Sequence, residues 1–354
     1  MRLQLKKADD NIKAYFKILS DDMPEFLYEY IKVPEMQRIG YVGMNCGTDY
    51  TDIFQNKFFY SRLDHSIGVA LIIWNFTKDK KQTLAGLFHD IATPSFSHCI
   101  DYLHKDYFKQ ETTEFRTRDI IVESSHIMEL LSKDKILVDD VCDYKKYPIA
   151  DNSSPKLSAD RLEYTLSSGM TFTKEWSIHD VADMYRNLII LNNEEGNPEI
   201  AFQSQKKAEK FVSGASKMWS LFQSNEDKIV MQFFADIIAY IINCGIIEEE
   251  DLYRYSESEI ISFIENCGVK EIQDAFYCFR NATHICEGDF PPFEHYSVSI
   301  DVKKRYINPL VMQTRLDVIS EKAKKIIYDS ININRPTYAW FGFDLQANTL
   351  KNWE

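Results

Sequence analysis

The chain has 354 residues, of which 45% are hydrophobic and 27% charged. That balance excludes a disordered chain, a collagen-like fibre and a disulfide-stapled miniprotein, and at about 150 residues per domain it predicts roughly two domains. The net charge of -13 repels nucleic-acid backbones and anionic membranes, so no stable nucleic-acid binding and no membrane binding are expected.

Helical periodicity dominates. Apolar residues at i, i+3 and i+4 predict a helix from residue 9 and a second beginning at Pro24, both within residues 9–31. Residues 61–77 predict a strongly amphipathic helix. Further helices are expected at 81–89, 119–131, 157–166 and 178–190. A long pair follows at 206–222 and 227–243, then 257–265, 269–279 and 316–328. Leu188–Leu191 and Glu199–Phe202, joined by a polar loop with Gly196, read as a β-hairpin, and 295–300 as another short strand. The predicted architecture is mostly α: a helical bundle over residues 1–185, with a small α+β C-terminal appendage over 186–354 that contains the hairpin.

The most apolar stretch, 233–247, contains Asp236 and Asn243 and is too short to span a bilayer. The start, MRLQLKKADD, carries no apolar signal-peptide core. The seven cysteines are scattered without a CxxC pair and read as buried cytosolic thiols, so a cytoplasmic protein is expected. The aromatic cluster Tyr338, Trp340, Phe341 and Phe343 reads as a tail packed on the body.

Histidines concentrate in one region. His65, His89, His98 and His104 fall within 40 residues, with Asp64 before the first, Asp90 after the second and Asp101 three residues after the third. Singly, each is more often a core or capping residue. Together with Asp160, His65, His89 and Asp90 offer mixed nitrogen and oxygen ligands. These suit Mn, Fe, Co, Ni or Zn, with Mg as a further option, better than Ca. Such an ion polarises a phosphoryl oxygen and acidifies a bound water.

His65, then His89-Asp90, then Asp160 resembles the H…HD…D signature of HD-domain phosphohydrolases. The segments PEMQRIGYVG (34–43), FFYSRLDHSIGVA (58–70), LAGLFHDIATPSFSHCID (84–101) and SADRLEYTL (158–166) occur in the order of the branch that contains the deoxynucleoside-triphosphate triphosphohydrolases. KRYINPLV (304–311) is similar to a C-terminal motif of its bacterial members. The resemblance covers residues 34–170 closely and the rest loosely. It implies an HD-domain bundle, with His65, His89, Asp90 and Asp160 holding a divalent metal. It implies that His98 contacts substrate phosphate and that Asp101 pairs with a catalytic histidine. Arg62, Arg161 and Tyr164 match substrate-binding positions, and Arg suits phosphate through its planar fork. A nucleotide or other phosphorylated small molecule is the implied partner, in a homo-oligomer.

The pattern also departs from that branch. HDIATPSFSH stands where relatives read HDLGHGPFSH, so Thr93 replaces a histidine and a Gly-rich turn is lost. Met44-Asn45-Cys46 replaces a Gln-Leu-Gly that touches the deoxynucleoside in relatives, and the later His-Glu pair has no clear counterpart, since His126 is out of register. The alternative is therefore a catalytically weakened HD-domain sensor that binds nucleotide and metal.

Overall fold

A computed structural model describes residues 10–56, 58–108, 116–347 and 349–350. The expectation about the chain's start falls on residues 1–9, outside the described residues. The N-terminal pair is α1 (Asp10–Leu19) and α2 (Glu25–Ile31), with Pro24 as the N-cap of the second. A short α3 (Pro34–Ile39) follows, started by its first-turn proline and too short to register as a period.

The centre of the first half is α4 (Arg62–Thr77) packed on α5 (Lys80–Phe88). Ser61 and Asp64 form a reciprocal capping box that starts α4. The expected amphipathic character of α4 does not hold. Arg62 to Ile73 are all buried, so the helix is enclosed on every side rather than presenting one wet face. Close approach of α5 depends on Gly86, where an added Cβ would stand 2.2 Å from Ile73 Cδ1.

Then come α6 (Cys99–Leu103), α7 (Thr117–Glu123), α8 (Ser125–Asp134), α9 (Ala159–Thr171) and α10 (Ile178–Tyr185). The single helix expected at 119–131 is two. Ser124 is extended, and its hydroxyl accepts from the N–H of Ile127 to start α8. The helix expected to reach 190 stops at Tyr185, because Leu188 onward pairs as a strand.

That strand is β1 (Leu188–Asn192), antiparallel to β2 (Pro198–Phe202), with Gly196 at φ +80° in the turn. The long pair α11 (Gln205–Leu221) and α12 (Asn225–Asn243) matches expectation, as do α13 (Glu257–Glu265) and α14 (Lys270–Arg280). The chain continues through β3 (Ile285–Gly288), β4 (Ser297–Val298), β5 (Leu310–Val311), β6 (Thr314–Arg315), α15 (Leu316–Ile319), α16 (Glu321–Ile331) and β7 (Tyr338–Phe341). Extended Ser320 divides α15 from α16 and caps the second through its hydroxyl.

The strands form two small sheets, ordered β1-β2-β5-β6 and β3-β7-β4. In β7, Phe341 is buried edge-on against Phe233 and Phe279, so the aromatic tail packs on the body. The architecture is mostly α with an α+β C-terminal part.

Two apolar cores result. One joins α1–α5 to α9–α11 and to Ile307–Ile327; the other joins Phe54, Phe96 and Ile100 to α12–α14 and β7. Each draws on residues from both sides of residue 185. All seven cysteines are free, but only Cys99 is buried as expected; Cys244, just past the end of α12, is exposed and the other five are half-buried. No helix among the described residues is long and apolar enough to cross a membrane.

Candidate metal centre

His65 lies on α4 at the first core, 1% exposed. Its Nδ1 donates to the carboxylate of Glu163 on α9. Glu163 is itself fully buried and accepts from the Tyr60 hydroxyl at 2.6 Å. The helices meet closely enough for this because Gly68 stands one turn after His65, where a Cβ would lie 2.7 Å from Glu163 Cγ. With Nδ1 tied, His65 presents Nε2. His89, just after α5, is oriented in the same way: Nδ1 donates to the carbonyl of Gly86 at 2.7 Å, which leaves its Nε2.

The two Nε2 atoms face each other at 3.2 Å. Asp160, in the first turn of α9, places Oδ1 3.1 Å from Nε2 of His65 and 3.9 Å from that of His89. His65, His89 and Asp160 thus converge three donor atoms within 4.8 Å of one another. Asp90 stands beside them, Oδ2 3.6 Å from His89 Nε2 and 3.9 Å from His65 Nε2. Burial pushes the His65 imidazole down, but Glu163, Asp160 and Asp90 outweigh it and bring its pKa up to about 10. Two imidazoles whose outer nitrogens are already engaged, with carboxylates around the inner ones, fit a divalent transition ion by donor type and convergence.

Asp90 is also held from outside. Burial would raise its pKa, yet the Arg62 guanidinium at 3.0 Å, with the two histidines, keeps it well below the usual carboxylate range. Thr93, which stands where the resemblance has a histidine, donates to Asp90 Oδ1 at 3.2 Å. Arg62 also donates Nε–H to Ser97 Oγ at 3.0 Å, and Ser97 donates in turn to the Gly43 carbonyl. Arg62 therefore lines the cavity while bracing Asp90.

Phe96 and Ser97 are consecutive non-glycine residues in the left-handed region, at φ +65° and +49°, each an unfavourable conformation by about 1–2 kcal/mol. Helix α13 and the turn before it hold them there. Glu257 accepts from the N–H groups of Gly43 (2.9 Å) and Phe96 (3.2 Å) and from the Tyr50 hydroxyl (2.9 Å). Ser95 donates its hydroxyl to the carbonyl of Tyr255 and its N–H to that of Leu252. Arg38 on α3 fixes the preceding turn by donating to the carbonyls of Ile91 and Thr93. This gives the PEMQRIG segment a structural role.

The centre opens into a cavity of about 380 Å³ lined by residues from both cores. His98 and Asp101 are there as a pair: Nδ1 of His98 donates to the fully buried Asp101 carboxylate at 2.7 Å. Burial, opposed by Asp101 and aided by Arg62 and Arg305, lowers the His98 pKa, so its neutral form is favoured. Arg161 lines the cavity but spends its donors on the 151–156 loop, pairing with Asp151 at 3.0 Å and with the Lys156 carbonyl at 2.7 Å. Tyr164 is on the wall, its hydroxyl pKa raised by burial. Lys145, Lys303, Lys304 and Arg305 add cationic character. His126 is exposed on α8 and does not line the cavity.

Sequence reasoning missed Glu163, Glu257 and Asp227. The signal for Glu163 was available: it is three residues after Asp160, on the same helical face. No local signal marks Glu257, which meets its partners across more than 150 residues. Asp227 lines the cavity from the first turn of α12.

No family model matches the chain. It is similar to the uncharacterized protein YdhJ of Bacillus subtilis, 26% identical over 238 residues that cover 64% of this chain and 67% of YdhJ. It is also similar to the metal-dependent phosphohydrolase cns2 of Cordyceps militaris, 22% identical over 246 residues and 66% of each chain. The matched region thus spans about two thirds of these relatives. Among solved structures, a phosphohydrolase from Bacteroides thetaiotaomicron superposes with a TM-score of 0.63 at 13% identity, over 90% of this chain and 96% of that one. A hypothetical protein from Aquifex aeolicus gives 0.59 at 16% identity, over 94% and 95%. The fold is shared along nearly the whole of both structures.

Proposed function

We propose that the chain is a metal-dependent phosphohydrolase of the HD superfamily that cleaves a phosphoester or phosphoanhydride of a nucleotide. The single observation that carries this reading is the pair of facing Nε2 atoms on His65 and His89, with the Asp160 carboxylate beside them. The likeness to cns2 and to the Bacteroides phosphohydrolase supports it.

His65, His89, Asp90 and Asp160 would hold one divalent transition ion. Bound there, the ion supplies Lewis acidity toward a phosphoryl oxygen and lowers the pKa of water. The chain's own residues do the rest. Arg62 keeps Asp90 ionised and presents positive charge to the cavity, where Arg161 and the lysines add to the field that attracts phosphate. His98, its Nδ1–H fixed by Asp101, directs Nε2 to the cavity, where in the protonated imidazole it would donate a hydrogen bond or proton to a phosphoryl or leaving oxygen. Tyr164 bounds the wall beside the phosphate.

The test is product identification by mass spectrometry. Mn²⁺-supplemented protein is offered nucleoside mono- and triphosphates and cyclic dinucleotides, with Asp90→Ala as control. Product from the wild type and none from the variant is the expected result. Nucleoside with tripolyphosphate marks the triphosphohydrolase branch, and orthophosphate or an opened dinucleotide another branch. No product from any compound overturns the enzyme reading in favour of the sensor.

A further inference from the structure

We propose that Asp227 recognises the nucleoside part of the substrate by accepting a hydrogen bond from one of its hydroxyl or amino groups. This rests on the cavity being a nucleotide site, as argued above.

The local geometry sets Asp227 apart. Ser224 caps α12 by accepting from the N–H of Asp227 at 3.2 Å. The same Ser-x-x-acid arrangement starts α4, α10 and α13. In each of those the acid bonds back to the serine N–H, Asp64 at 3.0 Å, Asp180 at 2.9 Å and Glu259 at 2.8 Å. Asp227 makes no such bond, because the Ser224 N–H already donates to the Leu221 carbonyl at 2.8 Å. Its carboxylate lines the cavity instead, without a hydrogen bond to any described side chain.

Its surroundings indicate which part of a ligand it meets. The charge of Asp227 acts on Cys46, Cys99 and Tyr102. The groups of the metal centre respond to Glu163, Arg62 and one another instead. Asp227 thus shares the cavity lining with Cys46, Tyr102 and Met231. A carboxylate there repels a phosphate and attracts a donor. Burial raises its pKa to about 7 even though Arg305 opposes the change, as expected of a carboxylate to which no described side chain supplies a hydrogen bond. A ligand hydroxyl or amine would supply one, while a purely apolar leaving group would leave it unpaired at a cost.

The test measures calorimetric affinity and turnover for wild type, Asp227→Leu and Asp227→Asn. The probes are AMP and p-nitrophenyl phosphate, whose leaving group has no comparable donors, each with Mn²⁺. Asp227→Leu should lose about ten-fold or more in AMP affinity and change little toward p-nitrophenyl phosphate. Asp227→Asn keeps an acceptor oxygen and should lose less. Purine riboside monophosphate and 2′,3′-dideoxy-AMP assign the donor: the one whose affinity is insensitive to Asp227→Leu lacks the contacted group. Equal losses for both probes, unchanged AMP affinity, or no AMP binding by the wild type would overturn the proposal. AMP binding that depends on Asp227 without turnover of any probe would sustain it and overturn the hydrolase reading instead.

Discussion

Glu163 accepts a hydrogen bond from Nδ1–H of His65, and this contact decides which nitrogen His65 presents to its partners. The geometry depends on a residue with no side chain, since Gly68 leaves the space that the Glu163 stem occupies. Tyr60 secures the other carboxylate oxygen. A metal ligand is thus oriented from behind by a chain of buried polar groups.

Glu163→Gln should weaken metal affinity by about 10- to 100-fold, because an amide orients and polarises the imidazole less well. Gly68→Ala should give the same phenotype by displacing Glu163. Metal titration of both variants checks this, and unchanged affinity in both would separate Glu163 from the centre.

Arg62→Ala should destabilise the chain by about 3–5 kcal/mol, since Asp90 would keep a buried charge without its guanidinium partner. Metal should restore part of that loss if Asp90 faces the ion. Urea unfolding with and without Mn²⁺ measures both quantities.

Glu257 should make stability pH-dependent. Burial, with Asp49, raises its pKa from 4.5 to about 7 in spite of the donors from Gly43, Tyr50 and Phe96. The folded chain therefore holds this proton more tightly than the unfolded chain. Its contribution is complete below pH 4.5 and is lost as pH rises through about 7, by up to about 3 kcal/mol. Asp227, raised to about 7 by burial, acts in the same window with the same sign. Glu257→Gln keeps an acceptor for the two N–H groups and removes one titration. Its stability should decline less than that of the wild type between pH 4.5 and 7. Parallel curves would contradict the assignment.

Gly86→Ala should cost about 1–3 kcal/mol through overpacking where α5 meets Ile73 of α4. Because Gly86 also supplies the carbonyl that fixes His89, metal affinity should fall with it. Thermal unfolding and metal titration of the same sample check the pair of effects.

Much of this was legible before any coordinates. The helices around His65, His89 and Asp160 announce themselves by period, and the capping side chains of Ser61, Asp79 and Ser158 mark their starts. The break at Ser124 was hidden because apolar spacing continues across it. Enclosure of α4 was hidden too, since α1, α3, α5 and α9, drawn from distant parts of the chain, all pack on it. The His and Asp positions are local motifs and could be read one by one. Glu257 and Asp227 could not. Each reaches the site from the second core, and only the packing of α12 and α13 against the Phe96–Ser97 turn and the cavity gives them a role.

The most direct test is phosphate release from a nucleotide by chelator-stripped protein titrated with Mn²⁺, for wild type and Asp160→Ala. A saturable return of activity in the wild type and none in the variant is the predicted result. Release that is independent of metal, or equal in the two proteins, would contradict a metal centre built on His65, His89, Asp90 and Asp160.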